Sequence, residues 1–383
     1  MLLISLCFVC IVICLYYGDR HLQLMNSKGI SLIDSTSKQK GVQKYIWTFI
    51  GILTLFSAVR HGFIDTYAYR EMYRESRFNW DYVWTGAGWG IESGWLITCY
   101  LLNYICPSSN FILLLAALLI NYAYAKSIEK YSEDITLSLW MFFCLNWLDT
   151  NNGLRQFTAA ALSIIALPLL LNQERDLRKK ILCYIGYILI ITIGMQWHNS
   201  VKVCIPIMIA VLGKPMNWKT WGVMLLCMAF IAGMNFAMDI FVEGAGDTKY
   251  VEMYLKKSYG GMGLPRAIVM GFVPLFFVFS YLMKGHQEKQ KIHYVDGILI
   301  NLLVIHSAFT ILGLKVQVLS RLCFYTYFVY FLIMPKLMMN VLSGKYNRYR
   351  NFAFVCLTFY FWYNVYVNCR YHAIEDFYFD VEF

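Results

Sequence analysis

"SGWLITCYLLNYIC", residues 93–106, is the stretch on which the arrangement of the whole chain turns. Its fourteen residues are apolar enough to enter a bilayer, yet as a helix they reach only about 21 Å against a hydrocarbon core of about 30 Å. Counted as a full span, they would reverse the side of every later loop. Around them lie twelve other apolar runs, near residues 2–17, 45–59, 110–125, 131–148, 154–171, 181–196, 199–213, 218–237, 265–283, 294–312, 318–335 and 351–367. With 59% of residues apolar, 15% charged and a mean hydropathy of +0.51, this is the composition of an integral membrane protein. Most linkers are too short to fold alone, so one membrane domain over residues 1–383 is expected. The first run lacks the basic start and small-residue cleavage site of a secretory signal and reads as a retained span. Cys7, Cys10, Cys14, Cys144, Cys183, Cys204, Cys227, Cys323 and Cys356 fall inside apolar runs and read as small hydrophobes.

Charge arbitrates the topology. With twelve spans and both termini outside, 20 of the 33 Lys and Arg lie in inner loops and 13 in outer regions, in keeping with the positive-inside rule; a thirteenth span at 93–106 would reverse the bias. The chain is therefore expected to be all-α, with about twelve transmembrane helices, a short re-entrant or interfacial helix at 93–106, and two longer outer loops, 60–109 and 238–264. The net charge of +10 follows from lysine-rich inner loops and calls for no nucleic acid.

The same count separates the two cations. The inner side holds 15 Lys and 5 Arg, the outer side 5 Lys and 8 Arg: Arg60, Arg70, Arg74, Arg77, Arg155, Arg266, Arg321 and Arg370. A guanidinium binds phosphate or carboxylate through two parallel hydrogen bonds and keeps its charge when partly desolvated. The outer face is thus expected to hold an anion, the alternative being headgroup contacts or pairing with Asp65, Glu71, Glu75 and Asp81. Arg155 is the sharpest case, because in "DTNNGLRQFTAA" (149–160) it opens an apolar span where a membrane should reject charge.

The outer stretch 60–95 is dense in tyrosine, tryptophan and arginine, which suits either sugar rings or an interfacial aromatic belt. In the second loop, "GGMG" (260–263) is a candidate lid or a plain connection. "MQWHNSVKV" (195–203) sets His198 at the boundary level of Arg155, as a general base or a turn-capping residue. Glu92 and Asp65 are the acidic alternatives for proton transfer. His306, deeper in a span, reads as a packed neutral imidazole or a functional group. No Walker loop, D-x-D pair, G-x-S-x-G elbow or H-E-x-x-H helix is present.

Taken in order, "SAVRHGFIDTYAY" (57–69), "IESGW" (91–95), "NNGLRQFTAA" (151–160), "WHNSV" (197–201) and "LSRLCFYTYF" (319–328) resemble the EpsG-like branch of the Wzy-type polysaccharide polymerases. Phe63, Trp95 and Val201 depart from the glycine, tyrosine and alanine usual in that pattern. The resemblance implies a GT-C-like, multi-pass glycosyltransferase in the bacterial cytoplasmic membrane with its active site facing outward. It would polymerise polyprenyl-pyrophosphate-linked oligosaccharide units, as donor and acceptor, into exopolysaccharide, capsule or O-antigen. Arg155, Arg60, Arg321 and Arg266 would hold the pyrophosphate. His198, Glu92 or Asp65 would take the acceptor proton, and Tyr67, Trp89, Trp95 and Gln156 would face the sugar. No metal or soluble cofactor is implied; a chain-length regulator and a flippase are the protein partners implied. The rival readings are a flippase of the same lipid-linked sugar and a membrane O-acetyltransferase.

Overall fold

A backbone in lipid must satisfy its own hydrogen bonds, and a helix does so within one segment. In the computed structural model, which describes residues 1–27, 35–86, 90–173, 176–233, 263–287, 292–315, 320–370 and 377–378, every regular element among the described residues is helical. In chain order these are α1 (Leu2–Ser27), α2 (Ser35–Ala58), α3 (Thr66–Glu75), α4 (Trp80–Trp84), α5 (Ser93–Asn103), α6 (Asn110–Tyr131), α7 (Ile135–Leu145), α8 (Trp147–Asn152) and α9 (Leu154–Leu170). There follow α10 (Leu177–Gly194), a 3₁₀ turn (Asn199–Val203), α11 (Cys204–Val211), α12 (Trp218–Ala232), α13 (Leu264–Gln287), α14 (Tyr294–Leu312), a second 3₁₀ turn (Arg321–Tyr325), α15 (Tyr327–Leu342) and α16 (Tyr346–Arg370).

Among the described residues, five stretches are long and apolar enough to cross a membrane: Leu2–Gln23, Asn110–Tyr131, Leu264–Gln287, Tyr294–Leu312 and Tyr327–Arg370. The chain is an all-α membrane protein, but this is fewer than the twelve runs read from hydropathy. The stretch Tyr327–Arg370 holds two of the runs, and local chemistry shortens two others. The run 131–148 is cut by Asp134, whose carboxylate accepts the Leu137 N–H at 2.9 Å and caps α7, and by Asn146, where the chain leaves the helix before α8. What remains, α7, has 11 residues, about 16 Å of helix. The run 199–213 is divided into a 3₁₀ turn and the eight-residue α11, with Pro206 in its first turn, where no N–H is needed. The doubtful segment 93–106 is α5, 11 residues and again about 16 Å.

The described residues group into two compact units. The first comprises Met1–Ile165, Ile190–Val201 and Asn347–Phe383; the second comprises Ala166–Leu189 and Lys202–Tyr346. In the first, an aromatic core joins α1, α7, α8 and α16: Phe143 stacks on Phe361 at 4.8 Å and on Trp147 at 5.3 Å, and Phe8 stacks on Phe361 at 5.6 Å. Rings at such spacings contribute through area and through their quadrupoles. An ion triad closes one end of this core, with Arg350 of α16 donating to Asp134 at 2.5 Å and to Asp19 of α1 at 2.8 Å. Cys7 and Cys10 stand at C-x-x-C spacing on α1, and both thiols are free.

In the second unit α14 is the central element, buried along almost its whole length. Residues Ile268–Phe272 of α13 form a π-helical turn, and its Val269 carbonyl accepts the Tyr330 hydroxyl at 3.2 Å. Gly271 makes the approach to α14 possible, since a Cβ there would stand 3.1 Å from Ile311 and 3.5 Å from Thr310.

Candidate functional site

Glu92 sits at the N-cap of α5 with extended backbone, which aims its carboxylate away from the helix. One oxygen meets the Arg155 guanidinium at 2.7 Å; the other accepts the backbone N–H of Asn199, also at 2.7 Å. The Arg155 and Glu92 side chains are only 19% and 21% exposed, so the pair is largely removed from water. This is what holds Arg155 at the opening of an apolar helix. Its Cα lies in the first turn of α9, where backbone N–H groups have no intrahelical acceptor and the helix favours negative charge.

The turn that carries Asn199 is itself pinned to α5. Trp95 N–H donates to the Gln196 carbonyl at 3.0 Å, and Trp197 Nε1 donates to Thr98 Oγ1 at 3.2 Å. Gly94 permits this contact: a Cβ there would stand 2.4 Å from the Gln196 Cβ and 2.6 Å from its carbonyl oxygen. Residues separated by 63 and 107 positions are thus brought to one carboxylate. Three of the quoted sequence stretches, "IESGW", "NNGLRQFTAA" and "WHNSV", meet in the first unit.

His198 lies beside this junction, half-buried. Its Nδ1 bonds the Ser200 hydroxyl at 2.6 Å and accepts the Ser200 N–H at 3.3 Å. That is the turn-capping geometry. Asp65 is exposed at the N-cap position of α3, where its side chain makes no cap hydrogen bond. The turn before it is sharp, with Ile64 at φ 48°.

Arg60 is placed otherwise than the clamp expectation requires. It is 0% exposed, and its guanidinium donates to the Ser57 carbonyl, to Thr66 Oγ1 at 3.3 Å and to the Asn151 carbonyl at 3.0 Å. Burial and the neighbouring Arg70 guanidinium push its pKa down to about 9, so its charge is held against two opposing influences. Arg70, 3% exposed, donates to the Arg60 carbonyl at 2.8 Å and to Ser109 Oγ at 3.0 Å. Both arginines knit loop 57–66 to the end of α8 and the start of α6. They satisfy backbone carbonyls that helix ends leave open.

Two of the expected sugar-facing residues are also inside. Trp95 is 1% exposed and meets Tyr69 edge-on at 5.8 Å, and Gln156 is 5% exposed. Their burial makes them supports of α5 and α9. Tyr67 is 46% exposed, as a sugar contact requires. Trp89 and the "GGMG" run up to residue 262 lie outside the described residues, as does most of loop 238–264.

Arg266 and Arg321 belong to the second unit. Arg266 lies over the Tyr327 ring at 5.3 Å and donates to the Tyr327 hydroxyl. His306 of α14 is 0% exposed, bonds Thr326 Oγ1 through Nδ1 at 3.1 Å, and meets Tyr327 edge-on at 5.2 Å. Arg321 is exposed at the start of its 3₁₀ turn. Sequence reasoning passed over Gly94 and the Asn199 N–H, although the glycine's position two residues after Glu92 was a visible signal of a close backbone approach.

Among known proteins, the model of the EpsG family matches residues 44–379, most of the chain. No curated protein matches, and no solved structure does.

Proposed function

Because the chain belongs to the EpsG family, a Wzy-like polysaccharide polymerase family, we propose that it is a membrane glycosyltransferase that joins polyprenyl-pyrophosphate-linked oligosaccharide units on the outer face of the bacterial cytoplasmic membrane. The product would be an exopolysaccharide, capsule or O-antigen chain. A single membrane domain of about twelve spans with a GT-C-like arrangement, and the service of a flippase and a chain-length regulator, belong to this proposal. The observation that carries it is the junction of Arg155, Glu92 and the Asn199 N–H, a cation and a carboxylate held together at the start of an apolar helix.

The chemistry follows from that junction. The donor's pyrophosphate takes the place of the Glu92 carboxylate at Arg155, which frees Glu92 to accept the proton of the acceptor hydroxyl. The acceptor oxygen forms its bond to the donor's anomeric carbon as the bond from that carbon to the phosphate oxygen breaks. The electron pair leaves with the polyprenyl pyrophosphate, whose growing negative charge Arg155 stabilises; fixed charge placed in this way contributes several kcal/mol. His198 and Asp65 are the other bases the reading admits. Arg60 supports the α8–α9 junction, while Arg266 and Arg321 contribute anion contacts within the second unit.

The test is an inventory of lipid-linked glycans in cells lacking the protein, with sidedness read by an impermeant probe. Single repeat units accumulating on the outer face support polymerisation. Single units trapped on the inner face would mean a flippase, and polymer of normal length lacking a substituent would mean a modifying enzyme.

A further inference from the structure

The last described residues, Phe377 and Tyr378, return to the loop that follows α2, within the first unit. Phe377 is 0% exposed and is held edge-on by Phe63 at 5.7 Å and by Trp147 at 6.0 Å. The His61 N–H donates to the Tyr378 carbonyl at 2.8 Å, which fixes the backbone of the pair. One ring is therefore an anchor, and the next residue points the other way. Tyr378 is stacked on the His61 imidazole at 4.5 Å and 13° between planes, and remains 48% exposed. Tyr67 completes the group, edge-on to His61 at 5.4 Å and 46% exposed.

We infer that His61, Tyr67 and Tyr378 form a carbohydrate-binding shelf, on which the Tyr378 ring takes the apolar face of a sugar in the glycan chain. A tyrosine stacked on one side and half open to its surroundings has its second face available. That face is the negative pole of the ring quadrupole and attracts the polarised C–H bonds of a pyranose, while the hydroxyls at the ring edges can hydrogen-bond. A shelf built only as a membrane-interface belt would not need the stacking partner, the backbone hydrogen bond and the buried anchor together.

Its location ties it to the proposed chemistry. Trp147, which holds Phe377, opens α8, and Arg60, next to His61, grips the Asn151 carbonyl at the other end of α8, one turn before Arg155. The family match runs to residue 379, past both tail rings. The inference rests on the glycan-polymerase reading and deepens it: the shelf is a sugar subsite whose loss weakens the grip on the growing chain.

The experiment uses the full-length protein in detergent or nanodiscs and, as probe, fragments of one, two and three repeat units cleaved from the polysaccharide that the host cell exports. Wild type, Tyr378→Ala, Tyr378→Phe and Tyr378→Trp are compared by saturation-transfer NMR and titration, with thermal unfolding as the check on folding. Tyr378→Ala should bind the fragments about five- to tenfold more weakly, and both aromatic variants should bind as wild type does, at unchanged melting temperature. In cells the alanine variant should make shorter polymer. Equal binding by wild type and Tyr378→Ala would overturn the shelf and leave the polymerase reading standing, and so would failure of wild type to bind any fragment while still making polymer. The polymerase reading fails by a different result, a deletion strain with normal polymer.

Discussion

Replacing Arg155 by alanine separates a structural from a chemical role for the Arg155–Glu92 pair, because the two roles respond differently to a second change. Exposed ion pairs contribute about 0–1 kcal/mol, whereas removing one partner of a fully buried pair costs about 3–5 kcal/mol. With the two side chains 19% and 21% exposed and Glu92 keeping its bond to the Asn199 N–H, we expect Arg155→Ala to destabilise the first unit by about 2–3 kcal/mol. Loss of one preorganised group facing a developing charge should lower polymer synthesis about 10²- to 10³-fold per molecule of folded protein. Adding Glu92→Gln removes the uncompensated carboxylate, so the double variant should regain much of the stability and none of the synthesis. The assay is polymer yield normalised to protein in the membrane, alongside thermal unfolding of the purified protein. Restoration of polymer in the double variant would refute the chemical role and leave Arg155 as half of a structural pair.

Three further substitutions test contacts that hold the first unit together. Gly94→Ala places a Cβ 2.4 Å from Gln196 Cβ, so the 196–199 turn must move off α5; we expect polymer to fall sharply with at least ~2 kcal/mol of lost stability, read by yield and unfolding. Arg60→Lys cannot span the Ser57 and Asn151 carbonyls and Thr66 Oγ1 with one ammonium, and should cost about 2–4 kcal/mol, seen as reduced protein level with synthesis per molecule preserved. Arg350→Ala leaves Asp19 and Asp134 facing each other without their cation and should cost about 3 kcal/mol, measured by thermal unfolding, with partial recovery when Asp19→Asn is added.

Much of the site was legible in the sequence because its chemistry is local to short stretches. Arg155 stood out as a charge opening an apolar run, and Glu92 and the His198 turn as polar groups at the same boundary; their meeting at one carboxylate was the part that only folding could supply. Arg60, read as part of the pyrophosphate clamp, is buried for a physical reason. A guanidinium that binds pyrophosphate and one that gathers backbone carbonyls use the same fork of donors, and only burial tells them apart. Trp95 was read as a sugar contact because tryptophan suits both a sugar and a core, and its neighbour Gly94 decides for the core by drawing α5 against Gln196. Hydropathy does not show where a helix breaks, since Asp134 and Asn146 interrupt an apolar run without changing its average. The aromatic pair in the tail became visible through its docking on His61 and Phe63.

The central claim is that this protein transfers glycan from one lipid-linked unit to another through the Arg155–Glu92 junction. The most direct measurement is reconstitution of the purified protein in liposomes with a single polyprenyl-pyrophosphate-linked repeat unit, followed by mass analysis of the lipid-linked products and of free polyprenyl pyrophosphate. The account predicts dimers and longer oligomers with stoichiometric release of polyprenyl pyrophosphate, both abolished by Arg155→Ala with Glu92→Gln. Single units that cross the bilayer unchanged, with no oligomer and no released pyrophosphate, would contradict it.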